Sequence, residues 1–237
     1  ILVSFEFPPE TVPLAEVFVV RTSIAMHHQH RGVRMIEHVG EGADDRRVRH
    51  DQCWQTEAVN ATERYQRDGA VVLRGVLTTA EVDMLRRSID EVIARPSPRA
   101  KVASAPDDPG FFLEDFCTWR EHPGFETVIR TSRLAEVAAE LMGSTSVRMY
   151  HDHVLVKEPG TRQRTPWHQD QPYYDVEGRQ NVSFWIPVDP VAEADCLEVI
   201  AGTHLGPWLM PRSFLDQRAR WFPEGSLDEM PDFDERR

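Results

Sequence analysis

Basic residues are scarce in this 237-residue sequence: 27 lysines and arginines stand against 39 aspartates and glutamates, a formal net charge of −12. No basic patch compensates, which argues against nucleic acid as a partner. Cysteine is scarcer still. Cys53, Cys117 and Cys196 are odd in number and far apart, which suits reduced thiols in the cytoplasm and not a disulfide framework. No apolar run approaches the length needed to cross a bilayer, so no membrane partner is expected. Residues 1–20 are mildly apolar, but Glu6, Glu10 and Glu16 interrupt them and disqualify a signal peptide. No internal repeat is present. Histidine also runs out: of ten, only His204 follows Asp170.

What remains is the composition of a globular protein, 41% hydrophobic and 28% charged, with ample chain to bury a core. Residues 1–54 show no sustained period and are expected to be a poorly defined leader, disordered or non-native. Its cluster Met26-His27-His28-Gln29-His30 reads as solvated surface, because no carboxylate or cysteine nearby has ligand spacing. Residues 55–237 form the expected domain.

Asp68-Gly69 predicts a turn into the strand Ala70-Val71-Val72-Leu73. Thr78 and Glu81 have capping-box spacing. They open a helix with Val82, Leu85, Ile89, Val92 and Ile93 on one face, stopped by Pro96. A second helix is expected from about Ser132, carrying Leu134, Val137, Ala138 and Leu141, with Gly143 as its stop. Strands then follow over residues 147–157, 181–188 and 196–200. Helices first and antiparallel strands after predict an α+β domain whose core is a β-sandwich or barrel.

One motif carries chemistry. In Thr165-Pro166-Trp167-His168-Gln169-Asp170, a strand would place His168 and Asp170 on the same face, where an imidazole nitrogen and a carboxylate oxygen can meet one ion. Two histidines and one carboxylate with open positions are the ligand set of non-haem Fe(II) oxygenases. Gln169 points to the opposite face and is expected to orient its neighbours. A surface pair in a proline-flanked turn is the plainer alternative.

Four ordered blocks extend the pattern: residues 64–75 with the helix after them, Val154-Leu155-Val156-Lys157, Trp167-His168-Gln169-Asp170, and Phe184-Trp185-Ile186-Pro187-Val188-Asp189 followed by residues 196–204. Together they resemble the phytanoyl-CoA dioxygenase family of Fe(II)- and 2-oxoglutarate-dependent oxygenases. The resemblance implies a double-stranded β-helix, a jelly-roll or cupin-like barrel with flanking N-terminal helices. It implies Fe(II) held by His168 and Asp170, 2-oxoglutarate as cosubstrate, and hydroxylation of a small organic substrate by O2. The family's third iron ligand and the arginine that anchors 2-oxoglutarate are expected beyond residue 237, which makes this chain a fragment lacking its last strands.

The same resemblance places His153 near the cosubstrate and gives Trp185 a pocket-lining place, with core packing as the alternative. Lys157 shares the parity of His153 and could meet a carboxylate, or be solvated at the strand end. His151-Asp152-His153 could form a separate metal motif. Tyr173 and Tyr174 could frame an entrance or simply pack, and Arg162 and Arg164 could reach an anionic substrate. His204, in a Gly-Thr-His turn, reads as a structural residue more than as a ligand. The competing functions are a catalytically incompetent fragment or relic of the fold, and a cupin-type barrel that binds metal without 2-oxoglutarate.

Overall fold

The computed structural model describes residues 58–191, 197–214 and 216–234, and upstream of them the backbones of four strands. These are β1 (Leu2–Val3), β2 (Glu16–Arg21), β3 (Ala25–His28) and β4 (Val33–Glu37). The rest of the expected leader lies outside the described residues. The chain forms two compact units. One comprises Ile1–Val19, Val72–Gln163 and Ser183–Val191; the other comprises Val20–Val71, Arg164–Val182 and Ala192–Arg237.

The first unit is built on a seven-stranded sheet. After β5 (Ala70–Arg74) the chain enters α2 (Thr79–Ala94), the helix that follows α1 (Ala58–Asp68). The capping box forms as its spacing predicts: the Thr78 amide donates to Glu81 Oε2 at 2.7 Å, and the Glu81 amide donates to Thr78 Oγ1 at 3.3 Å. Val82, Leu85, Ile89 and Val92 are buried, each worth roughly 1.5–3 kcal/mol of apolar transfer. Ile93 does not join them and is 41% exposed, because it lies beside the stripe in the last turn. The helix ends at Ala94, two residues before Pro96, whose ring disfavours helical backbone at Arg95.

A further helix, α3 (Pro123–Thr131), was not foreseen; it is only nine residues long and buries just Phe125 and Val128. It packs on α2 where Gly124 permits close approach, since a Cβ there would stand 2.3 Å from Ser88 Oγ. The predicted second helix is α4 (Leu134–Met142), stopped by Gly143 in the left-handed region.

Strands β6 (Lys101–Val102), β7 (Phe112–Phe116), β8 (His153–Lys157) and β10 (Val182–Trp185) complete a sheet ordered β5-β2-β10-β1-β8-β7-β6. Strand β1 pairs parallel with both β8 and β10, while β7 pairs antiparallel with β6 and β8. Strand β8 is shorter than the predicted 147–157. Asp152 turns instead to the loop after β7, accepting bonds from the Thr118 amide and hydroxyl and from the Trp119 amide.

The second unit carries a four-stranded sheet, β4-β11-β3-β9, with β9 at Thr165–His168 and β11 at Leu197–Ala201. All five residues of β11 are buried, so both faces are covered. Strand β3 pairs antiparallel with β9 and with β11, and β4 runs parallel to β11. The fold is thus α+β as predicted. Among the described residues both sheets have edge strands, and the closure expected of a jelly roll is not shown. No described helix is long and apolar enough to cross a membrane.

Candidate functional site

In the second unit, β9 ends at His168, and Asp170 already has helical backbone (φ −70°, ψ −40°) at the entry to the single 3-10 turn Gln171–Tyr173. The two side chains nonetheless converge: His168 Nε2 lies 3.3 Å from Asp170 Oδ1. The expected pleat of one continuous strand is therefore corrected, because a strand-to-turn transition brings the pair together. Both residues are more than nine-tenths buried.

His168 Nδ1 is 2.9 Å from the Pro166 carbonyl oxygen. A carbonyl only accepts, so Nδ1 is the donor to Pro166, and Nε2 is the nitrogen that faces Asp170. An imidazole fixed through its second nitrogen in this way is the usual setting of a metal-ligating histidine. The donor set, one imidazole nitrogen and one carboxylate oxygen, suits a first-row divalent ion such as Fe(II).

The residues around the pair hold it in place. Gln169 Oε1 accepts from the Leu209 amide at 2.9 Å and its Nε2 donates to the Pro207 carbonyl at 3.4 Å, the orienting role expected of it. Gln171 Nε2 donates to the Val176 carbonyl. Tyr173 donates its hydroxyl to the Arg212 carbonyl at 2.7 Å and accepts the Arg212 amide at 2.9 Å. Burial pushes the Tyr173 phenol up to about 12. The Arg212 guanidinium meets Glu224 and Glu229 and donates to the Gln217 carbonyl. Phe214 stands edge-on to both rings, 4.9 Å from His168 and 5.8 Å from Tyr173 between centroids. Phe214 and Arg212 were not foreseen: both lie more than forty residues from the motif, in a segment without periodicity.

His204 is placed by the turn Gly202-Thr203-His204. It is buried, its Nε2 is 3.1 Å from the Gln66 carbonyl oxygen, and its ring covers Gly69. That is the structural role read from the sequence.

In the first unit, the register assembles a different group. Leu2 of β1 pairs with His153 on one side and with Trp185 on the other. Paired residues share a face, and Lys157 follows His153 by four positions, so His153, Lys157 and Trp185 lie on one face of the sheet. His153 stacks on Phe116 at 3.9 Å, and Lys157 Nζ lies 5.0 Å from the Phe112 ring centroid. Lys157 is buried, not solvated as a strand-end lysine usually is, and Trp185 is 1% exposed.

His151 precedes β8 and stands edge-on to Tyr150, and Asp152 is committed to the 118–119 loop. The His151-Asp152-His153 run therefore does not act as one strand-borne motif. Arg162 meets Asp107 and Asp108. Among the described residues, no group of three or more histidine, cysteine, aspartate or glutamate side chains gathers as a metal site.

The profile of the family described as Phytanoyl-CoA dioxygenase (PhyH) matches residues 65–225, more than half of the chain. None of the curated proteins and none of the solved structures matches it.

Proposed function

The chain belongs to the phytanoyl-CoA dioxygenase family, and on that premise we propose that it serves an Fe(II)- and 2-oxoglutarate-dependent dioxygenase that hydroxylates a small organic substrate. The observation that carries this reading is the convergence of His168 Nε2 and Asp170 Oδ1 at 3.3 Å with Nδ1 tied to the Pro166 carbonyl. In the proposal His168 and Asp170 are two of the iron ligands, on a fold of the family's double-stranded β-helix type whose remaining ligand lies beyond residue 237. Iron, when bound, supplies the activation of O2 coupled to oxidative decarboxylation of 2-oxoglutarate and hydroxylation of a substrate C–H bond.

The chain's own residues do the positioning. The Pro166 carbonyl accepts from His168 Nδ1 and fixes the ring so that Nε2 faces Asp170. Gln169 and Tyr173 tie the 207–214 segment to the motif and hold the pair in a nine-tenths buried setting. For 2-oxoglutarate the proposed groups are Lys157, a buried ammonium suited to a carboxylate, with His153 and Trp185 on the same sheet face. Asp170 in place of a small residue favours hydroxylation over halogenation, since the carboxylate takes the position a halide would need.

The test is an anaerobic titration with Fe(II), with and without 2-oxoglutarate, following the visible charge-transfer band of the chelate. A band that forms and is lost in His168→Ala supports the reading. Fe(II) binding that ignores 2-oxoglutarate points instead to a metal-binding barrel of another chemistry, and no binding at all to an incompetent relic.

A further inference from the structure

We infer that Phe214 sets the substrate preference of the His168–Asp170 site, favouring substrates that present an apolar hydrocarbon group beside the carbon to be attacked. The inference rests on the reading of His168 and Asp170 as metal ligands. It starts from an arrangement of three rings: His168, Tyr173 and Phe214 meet pairwise edge-on, with centroids 4.9, 5.8 and 6.4 Å apart. His168 is buried and Tyr173 partly buried, whereas Phe214 is 40% exposed. Of the three, Phe214 is the ring that offers the most apolar surface to solvent next to the metal pair.

The segment that presents Phe214 is fixed at its base. Arg212 is bonded through its amide and carbonyl to the Tyr173 hydroxyl, its guanidinium is held by Glu224 and Glu229, and it bridges to Ala219. Ser213, itself buried, receives the Gln217 amide on its carbonyl and donates its own amide to Arg218. Gln217 closes this tight loop with φ of +57°, a conformation that costs a residue with a Cβ. Single exposed aromatics are ordinary. An exposed ring braced on a strained, multiply bonded loop and touching a ligand residue is not ordinary, and a hydrocarbon group laid against Phe214 would bury both apolar surfaces.

The test uses Mn(II) as a paramagnetic stand-in and 4-phenylbutyrate as the apolar probe, with succinamate, a carboxylate that has no chelating hydroxyl, as the polar comparison. Mn(II) binding is first read from water-proton relaxation in the wild type and in each variant. In the Mn(II)-loaded protein the phenyl protons of 4-phenylbutyrate are expected to broaden more than the methylene protons of succinamate. Phe214→Ala weakens phenylbutyrate binding about tenfold, while Phe214→Leu, which keeps an apolar side chain, stays within about threefold. Mn(II) bound normally, with phenylbutyrate broadened equally in Phe214→Ala, overturns the inference and leaves the metal reading intact. Mn(II) not bound, or bound equally in His168→Ala, overturns the metal reading and the inference with it.

Discussion

His168 and Asp170 come within 3.3 Å of each other across the point where a strand becomes a turn. The pair is joined by backbone that changes from extended to helical within two residues, so its geometry depends on what fixes that change. Gln169, between them, does so through its two bonds to the 207–209 segment.

Asp170→Ala is expected to lower Fe(II) or Mn(II) affinity by at least about a hundredfold, since it removes the only charged donor of the pair. Gln169→Leu touches no metal but frees the 207–209 segment. It should cost about 10- to 100-fold in affinity, the range found when a supporting hydrogen bond is lost. Equilibrium titration monitored by water-proton relaxation measures both. Equal affinity for Asp170→Ala and wild type would rule the carboxylate out as a ligand.

Lys157→Met keeps the length of the side chain and removes its charge. If Lys157 meets a carboxylate of 2-oxoglutarate, the apparent affinity for 2-oxoglutarate falls by about tenfold or more, with Fe(II) affinity unchanged. Calorimetric titration of the Fe(II)-loaded protein under argon reads this directly, and an unaltered 2-oxoglutarate affinity removes Lys157 from the proposal.

Tyr173 is raised from 10.0 to about 12 by burial. A group raised in the folded state contributes stability that is fully present below its unfolded value and is lost as pH rises from about 10 to 12. Absorbance at 295 nm should therefore show a tyrosine that ionises late, and Tyr173→Phe should remove that step. The same substitution leaves the Arg212 amide and carbonyl without the hydroxyl and costs about 1–2 kcal/mol in urea unfolding.

Much of the first unit was legible because its signals are local. Thr78 with Glu81 and Gly143 act within a turn of their own helix, and Val82, Leu85 and Ile89 repeat with its period. The strand over 147–157 was overextended because its alternation runs on past the point where Asp152 leaves to cap another loop. The site divides the same way. His168 and Asp170 could be named from a two-residue spacing, but Phe214 reaches His168 through a loop with no period, and Arg212 joins the site through its backbone bonds to the Tyr173 hydroxyl, 39 residues away. Nothing in the spacing of such residues encodes the turn that brings them back.

Glu229 is held below its ordinary value of 4.5 by the Arg212 guanidinium. Because the folded state lowers it, the unfolded chain takes up the proton first, and the pair's contribution is present above about pH 4.5 and lost as pH falls below it. Melting temperatures of wild type and Glu229→Gln should differ at pH 7 and converge toward pH 3. The gap is expected to be small, given the exposure of Glu229, and to narrow in high salt.

Gly69 and His204 are coupled tightly enough to decide whether His204 has any freedom to bind metal. Gly69 has φ of +84°, and a Cβ on it would fall 2.4 Å from His204 Nδ1. Gly69→Ala therefore faces both a left-handed backbone penalty and a clash, and about 2–4 kcal/mol of destabilisation is expected. His204→Ala removes the ring and its contact with the Gln66 carbonyl, which should cost about 2–3 kcal/mol. In the double variant the clash is gone, so the two losses should sum to clearly less than their total, leaving only the backbone share of the Gly69 penalty. Mn(II) affinity should be unchanged in His204→Ala measured well below its melting point, because its ring is spent on the turn. A loss of metal affinity as large as that of His168→Ala would instead make His204 a ligand, and would require the Gly202-Thr203-His204 turn to rearrange when metal binds.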